Sequence, residues 1–174
     1  MKNKLIKIFI VEDNKVFAMT LKADIENYFA KRPIDIQLFE TGEESWEKFR
    51  DEKPQVVILD YNLNTNNPNA MDGNEVLSWY KRENPKTKVI LMTSEDSTDI
   101  AIESFKIGAF DYVVKTETQF KKIHLSLLNL FNLIKVENES KIYRNIIIAI
   151  VLAVSLLLGG VAAIQVFAPT LLRN

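Results

Sequence analysis

The chain has 174 residues, 47% of them hydrophobic and 26% charged, with a formal net charge of -1. That length suits one domain with a full core and something more, and the near-neutral charge gives no electrostatic case for nucleic-acid binding. The lack of cysteine excludes disulfides, thiolate metal sites and a cysteine nucleophile, and a single histidine, His124, argues against a histidine-rich zinc site or a Ser-His-Asp triad.

The amino terminus, Met1-Lys2-Asn3-Lys4, is followed by an apolar run from Leu5 to Val11 that Lys7 interrupts and Glu12-Asp13 ends. It is too short for the core of a signal peptide and reads as a first strand. Lys15 to Ala30 reads as a helix, with Asn14 as N-cap, Pro33 as its stop, and Phe17, Leu21, Ile25 and Tyr28 on one face. Ile34, Ile36 and Leu38 alternate, which predicts a second strand over Ile34 to Phe39. From Thr41-Gly42 to about Asp51 a second helix is expected, with Trp46 and Phe49 on its buried side.

Val56-Val57-Ile58-Leu59, between Gln55 and Asp60, is a continuous apolar run and predicts a strand buried on both faces. In an open parallel sheet, ligands bind beyond the carboxyl ends of the strands. Asp60 is therefore expected at the mouth of a crevice. The Asn-rich stretch from Tyr61 to Gly73, with Pro68, cannot be regular for long. A helix follows from Asn74 to Arg82, then a strand Lys88 to Met92 ending in Thr93-Ser94. Glu95 to Ile107 reads as a helix closed by Gly108, and Phe110 to Val114 as a fifth strand ending at Lys115. Thr116 is expected to cap a last helix whose apolar face is Phe120, Ile123, Leu127, Leu130 and Ile134.

Alternating strands and helices argue a parallel sheet with helices on both faces, and right-handed crossovers leave few topologies. On that reading Glu12, Asp13, Asp60, Thr93 and Lys115 share one edge. If the first and third strands are neighbours, three carboxylates converge, and they repel one another unless a cation sits among them. Oxygen ligands without histidine or cysteine suit Mg²⁺. Lys115 offers a compact positive charge, and Thr93 a hydroxyl, for an anionic group on Asp60. The set fits phosphoryl transfer onto Asp60.

The acidic pair Glu12-Asp13, Asp60 after its apolar strand, Met71-Asp72-Gly73, Thr93 and Phe110-Asp111-Tyr112-Val113-Val114-Lys115 together resemble the receiver domain of two-component response regulators, over about residues 4–134. The resemblance implies a flavodoxin-like α/β fold with a five-stranded parallel sheet of order 2-1-3-4-5. It implies Asp60 as phosphoacceptor, Glu12, Asp13, Asp60 and the Asn62 backbone carbonyl as Mg²⁺ ligands, and Thr93 and Lys115 as phosphoryl contacts. It further implies Tyr112 as an aromatic that changes rotamer with Thr93, and a histidine kinase or phosphotransfer protein as donor. Such a chain is no conventional enzyme; its chemistry is phosphotransfer to its own Asp60 and autodephosphorylation. Three positions depart from the family pattern. The Asp60–Gly73 loop is about five residues longer than usual, a size often functional. Ser94 stands where Ala or Gly is usual, and Thr116 where Pro is usual, typically after a cis bond. A receiver-shaped scaffold that is not usefully phosphorylated is the competing reading. A dehalogenase-like phosphatase is a third, but it needs its nucleophile on the first strand and an Asp where Asn62 stands.

Ile146 to Ala168 is an uncharged apolar stretch of about 23 residues, long enough to span a bilayer, with Ser155 and Gln165 as its polar side chains. The expected organisation is a receiver domain over 1–134, a charged connector over 135–145, a transmembrane helix over 146–168 and a tail over 169–174, with no output domain following. Lys135, Lys141 and Arg144 precede the span and Arg173 follows it, which places the receiver domain on the cytoplasmic side of a bacterial inner membrane. Ser155, Gly159 and Ala163 recur every four residues, a small-residue stripe of the kind that lets two membrane helices approach and so favours a homodimer.

Overall fold

The computed structural model describes residues 5–63 and 71–171, with side chains described except at 138, 141 and 161–171. Most of the Asn-rich loop, Gln165, Arg173 and the Ala163 position of the small-residue stripe therefore lie outside the described side chains. The chain divides into two compact units, Met1–Leu128 and Asn129–Asn174.

The first unit is a five-stranded sheet of β1 (Ile6–Val11), β2 (Ile34–Phe39), β3 (Val56–Asp60), β4 (Lys88–Thr93) and β5 (Asp111–Val114). All pairings are parallel and the order is β2-β1-β3-β4-β5, as the resemblance implies. Between the strands run α1 (Lys15–Tyr28), α2 (Gly42–Glu52), α3 (Gly73–Glu83) and α4 (Thr98–Ile107), and α5 (Gln119–Leu171) follows β5. Side chains alternate across the strands. Phe9, Val11, Val57, Leu59, Val89 and Leu91 join Phe49 of α2 and Val76, Leu77 and Tyr80 of α3 in one core. Ile8, Ile10, Ile58 and Ile90 belong to the other face and have no exposed surface, nor do Leu21 and Ile25 of α1 or Ile123 and Leu127 of α5.

Local capping explains where the helices begin. Asn14 Oδ1 accepts from the Phe17 amide at 3.1 Å, Thr41 Oγ1 from the Glu44 amide at 3.1 Å, and Asp72 forms a reciprocal capping box with Glu75. Ser97 caps α4, so that helix starts at Thr98 rather than at the expected Glu95. Residues 95–97 are instead drawn into the site described below. Thr116 is not at the start of α5, which begins at Gln119; its hydroxyl pairs with that of Thr118.

Two sequence expectations about packing change. Tyr28, expected on the buried face of α1, is 56% exposed, and Phe29 at the C-cap is buried in its place beside Ala18, Leu21 and Ile25. Tyr28 lies instead on the ring of His124, centroids 3.9 Å apart, while His124 Nε2 bonds Asp24. In β2 the alternation is imperfect: Ile36 and Phe39 are buried, whereas Ile34 and Leu38 are half-buried, as suits an edge strand.

Gly73 shows how tightly the β3–α3 connection sits on the end of β3. A Cβ there would lie 2.6 Å from Tyr61 Cα and 2.8 Å from the Asp60 carbonyl oxygen, both backbone atoms. Neither can step aside without moving the residue after Asp60. Gly73→Ala is therefore expected to cost about 1–3 kcal/mol of stability, the usual penalty of overpacking. Thermal unfolding of the full chain followed by circular dichroism checks it; an unchanged midpoint would contradict the close approach.

The second unit is the remainder of α5. Apolar side chains from Ile146, 49% exposed, to Leu156, 78% exposed, are open along it. Among the described residues this is one helix long and apolar enough to cross a membrane, and none of its apolar window is buried.

Candidate phosphoacceptor site

The sheet order reverses at β1 and β3, and the crevice beyond their carboxyl ends is where a doubly wound sheet binds ligands. Parallel pairing brings Val11 beside Leu59 and Asp60 beside Met92, so the ends of β1, β3 and β4 are level. Glu12 and Asp13 follow β1, Asp60 ends β3, Thr93 ends β4 and Lys115 follows β5.

Carboxylate oxygens of Glu12, Asp13 and Asp60 lie within 4.8 Å of one another. Lys115 Nζ reaches Asp60 Oδ2 and Glu12 Oε2, each at 2.8 Å. Asp60 is 2% exposed, and among the described residues its Oδ1 has no hydrogen-bond partner. An unpartnered carboxylate oxygen facing away from water is costly unless something pairs with it. Burial pushes the Glu12 carboxyl above the usual range and the Asp60 charge adds to it, against the opposing pull of Lys115 and the Asn14 amide. Burial pulls Lys115 down, but its bonds to Asp60 and then Glu12 outweigh that and hold the ammonium above the usual lysine range. Lys115 thus bridges Asp60 and Glu12, and among the described residues one oxygen of Asp60 stays orphaned. This all-oxygen donor set fits a hard divalent cation such as Mg²⁺.

The ring of Phe17 lies under the same ammonium, 5.0 Å from Nζ, and Phe120 stacks on Phe17. Thr93 has no exposed surface, and its hydroxyl oxygen accepts from the Glu95 amide at 3.0 Å. The carbonyl of that same Glu95 takes the Tyr112 hydroxyl at 2.8 Å. One residue therefore connects Thr93 to Tyr112, and this is what occupies the segment expected to be helical. The Asn62 side chain donates to Ser94 Oγ at 3.1 Å. No cis peptide bond is present among the described residues, so the chain passes from Lys115 to Thr116 in the trans form.

Sequence reasoning brought the acids, Asp60, Thr93 and Lys115 to one edge, and the geometry places them there. It missed that Lys115 also holds Glu12, that Asp24 partners His124, and that Asn62 meets Ser94. Only the charge of Glu12, facing one cation across the crevice, was a signal for the first.

This is the fold and edge chemistry of a receiver module, and comparison with known proteins agrees. The family model described as response regulator receiver domain matches residues 8–127. Transcriptional regulatory protein ZraR of Klebsiella oxytoca is 30% identical over 127 residues, 73% of this chain and 26% of its own length. Chemotaxis protein CheY of Listeria monocytogenes is 29% identical over 112 residues, 64% of this chain and 87% of its own. Among solved structures, the signal receiver domain of a protein described as a Luxo repressor from Vibrio parahaemolyticus superposes with a TM-score of 0.67 at 28% identity, covering 78% of this chain and 96% of that one. The DrrB receiver domain, described as BeF3 activated, gives a TM-score of 0.57 at 27% identity, over 71% of this chain and 98% of its own. The chain belongs to the response regulator receiver domain family, the receiving module of two-component signalling. It spans only about a quarter of the length of the first curated relatives, 26% of one and 22% of the next.

Proposed function

We propose that the chain accepts a phosphoryl group on Asp60 from the phosphohistidine of a partner kinase or phosphotransfer protein, and signals onward through protein contacts. The observation that carries this reading is the Asp60 carboxylate itself: buried in a cluster with the Glu12 and Asp13 carboxylates, with one oxygen on Lys115 and the other unpartnered among the described residues. Oδ1 is the nucleophile. Its bond to phosphorus forms as the nitrogen–phosphorus bond breaks, and the freed imidazole nitrogen keeps the electron pair and takes up a proton from water.

Glu12, Asp13, Asp60 and the Asn62 backbone carbonyl are the residues that would hold Mg²⁺. When bound, that ion supplies positive charge for the phosphoryl oxygens. Lys115 contributes a second positive charge, already at the reacting carboxylate. The Thr93 hydroxyl accepts from Glu95 and keeps its own hydrogen to donate to a phosphoryl oxygen. That donation pulls Thr93 towards Asp60 and loosens its bond to Glu95, whose carbonyl holds the Tyr112 hydroxyl. Tyr112 then changes rotamer with Thr93, and the surface around it reports the phosphoryl group.

The apolar stretch over 146–168 serves as a membrane anchor in this reading, with the receiver domain on the cytoplasmic side, where phosphodonors are. Its support is the length of the uncharged run, the exposure of its described side chains and the basic residues Lys135, Lys141 and Arg144 before it. The stripe of Ser155, Gly159 and Ala163 is the part of the anchor suited to pairing with a second copy.

The test is labelling of the full chain by radioactive acetyl phosphate, with and without Mg²⁺, beside Asp60→Asn and Asp13→Asn variants. Wild type is expected to take label only with Mg²⁺, Asp60→Asn none, and Asp13→Asn only at much higher Mg²⁺. An unlabelled wild type would leave the receiver-shaped scaffold as the better account.

A further inference from the structure

Phe17 has the helical spacing of a core residue with Leu21 and Ile25, yet those two have no exposed surface and Phe17 is half-buried. Its ring serves the sheet edge instead. The Lys115 ammonium lies over it, 5.0 Å from the centroid, and the half-buried ring of Phe120 stacks on it at 5.9 Å and 24°. Both rings stand on fixed backbone. The Phe17 amide is the one that the Asn14 cap holds, at 3.1 Å. Phe120 lies in the first turn of α5, where the Gln119 amide bonds the Thr116 carbonyl at 3.0 Å.

The ammonium has a use for such a contact. It reaches Asp60 and Glu12, each at 2.8 Å, and its side chain is only 20% exposed. Glu12 is claimed twice, by Lys115 and, as a proposed ligand, by a divalent cation. A carboxylate drawn to that cation loosens its bond to Lys115. The ammonium is then left, among the described residues, with Asp60 and the aromatic face. A ring face attracts a cation through its quadrupole, and most strongly where water is scarce. It also adds no charge to a site that already holds three carboxylates.

We propose that Phe17, backed by Phe120, is a positioning residue for phosphoryl acceptance: its ring keeps the Lys115 ammonium against Asp60 when Glu12 is drawn away. With acetyl phosphate as donor, the Asp60 oxygen bonds to phosphorus, the bond between phosphorus and the acetyl oxygen breaks, and acetate leaves with that electron pair. The negative charge spread over the phosphoryl oxygens in the transition state is best stabilised by an ammonium already in place. Phe17 performs no chemistry and acts through Lys115. The inference rests on the assignment of Asp60 as phosphoacceptor.

Initial labelling rates with radioactive acetyl phosphate at saturating Mg²⁺ are measured on full-length protein in detergent. The variants are Phe17→Leu, Phe17→Tyr, and chains carrying mono-, di- or trifluorinated phenylalanine at position 17. Fluorine weakens the attraction of the ring for a cation while nearly keeping its volume. Phe17→Leu is expected to accept label about fivefold more slowly, the usual worth of one cation–ring contact. Phe17→Tyr should keep the wild-type rate, and the fluorinated rings should slow acceptance stepwise towards the leucine value. A second readout needs neither metal nor donor. In metal-free protein with isotope-labelled lysine, the Cε protons of Lys115, assigned by their loss in Lys115→Met, should resonate upfield of other lysines and return towards them in Phe17→Leu. A wild-type rate in Phe17→Leu, or an unshifted Lys115 resonance, would overturn the inference while leaving Asp60 as phosphoacceptor. A slow Phe17→Leu beside a flat fluorine series would overturn it too, because the ring would then matter only as packing. A wild type that takes no label removes the assignment of Asp60 and the positioning role with it.

Discussion

Lys115→Met is expected to separate metal binding from phosphoryl acceptance. The ammonium touches Asp60 and Glu12, each at 2.8 Å, in a crevice where both carboxylates are 2–3% exposed. Removing it leaves two buried negative charges facing each other and Asp13. Breaking a buried pair from one side costs about 3–5 kcal/mol, so the metal-free variant should melt well below wild type. Added Mg²⁺ should recover much of that loss, because a ligand that binds only the folded state stabilises it. Mg²⁺ should also bind more tightly than to wild type, since the positive charge that competes with it is gone. Phosphoryl acceptance should nevertheless fall by about 10²–10³-fold, the usual effect of removing one preorganised charge from a transition state. Melting with and without Mg²⁺, calorimetric titration with Mg²⁺ and initial labelling rates measure the three effects. Unchanged acceptance would contradict the role given to Lys115, and weaker Mg²⁺ binding would contradict the competition between the two cations.

The second large effect concerns the proposed membrane anchor. Each Leu, Ile, Val or Phe at the centre of a membrane helix contributes about -0.3 to -0.6 kcal/mol to insertion, and each Arg opposes it by about 2.5–3.5 kcal/mol. The stretch 146–168 has no charge to set against its aliphatic side chains. Wild type is therefore expected to stay with membranes through alkaline extraction. Replacing Leu156 and Leu157 by Arg, in the middle of the span, should move much of the protein to the soluble fraction, with the receiver domain still labelled by acetyl phosphate. Protease added outside intact cells should spare wild type. A wild type released by alkaline extraction, or digested from outside, would remove the anchor or reverse its orientation.

Much of this was legible because parallel strands buried on both faces read as continuous apolar runs, and the residues that stop them are the ones at the sheet edge. Val56 to Leu59 followed by Asp60, and Val89 to Met92 followed by Thr93, announce themselves in that way. What stayed hidden depends on side chains meeting across the fold. Tyr28 satisfies the helical spacing of a core residue, yet Phe29, just beyond the last turn, is the one buried, and Tyr28 lies on His124 instead. The start of α4 was misplaced because Glu95 and Asp96 look like a helical first turn. Nothing local shows that the Glu95 amide and carbonyl are committed to Thr93 and Tyr112. Asn62 and Ser94 are 32 positions apart and each is an ordinary loop residue; their bond follows only once β3 and β4 are paired in register.

The most direct test of the central claim, that Asp60 is the phosphoacceptor, uses the chemistry of its product. An acyl phosphate on an aspartate is reduced by borohydride to homoserine, which marks the residue permanently. Full-length protein treated with acetyl phosphate and Mg²⁺, reduced, digested and sequenced by mass spectrometry should carry homoserine at position 60, and should lack it when Mg²⁺ is withheld. Homoserine at another aspartate, or unmodified Asp60 in protein that has taken up label, would contradict the account.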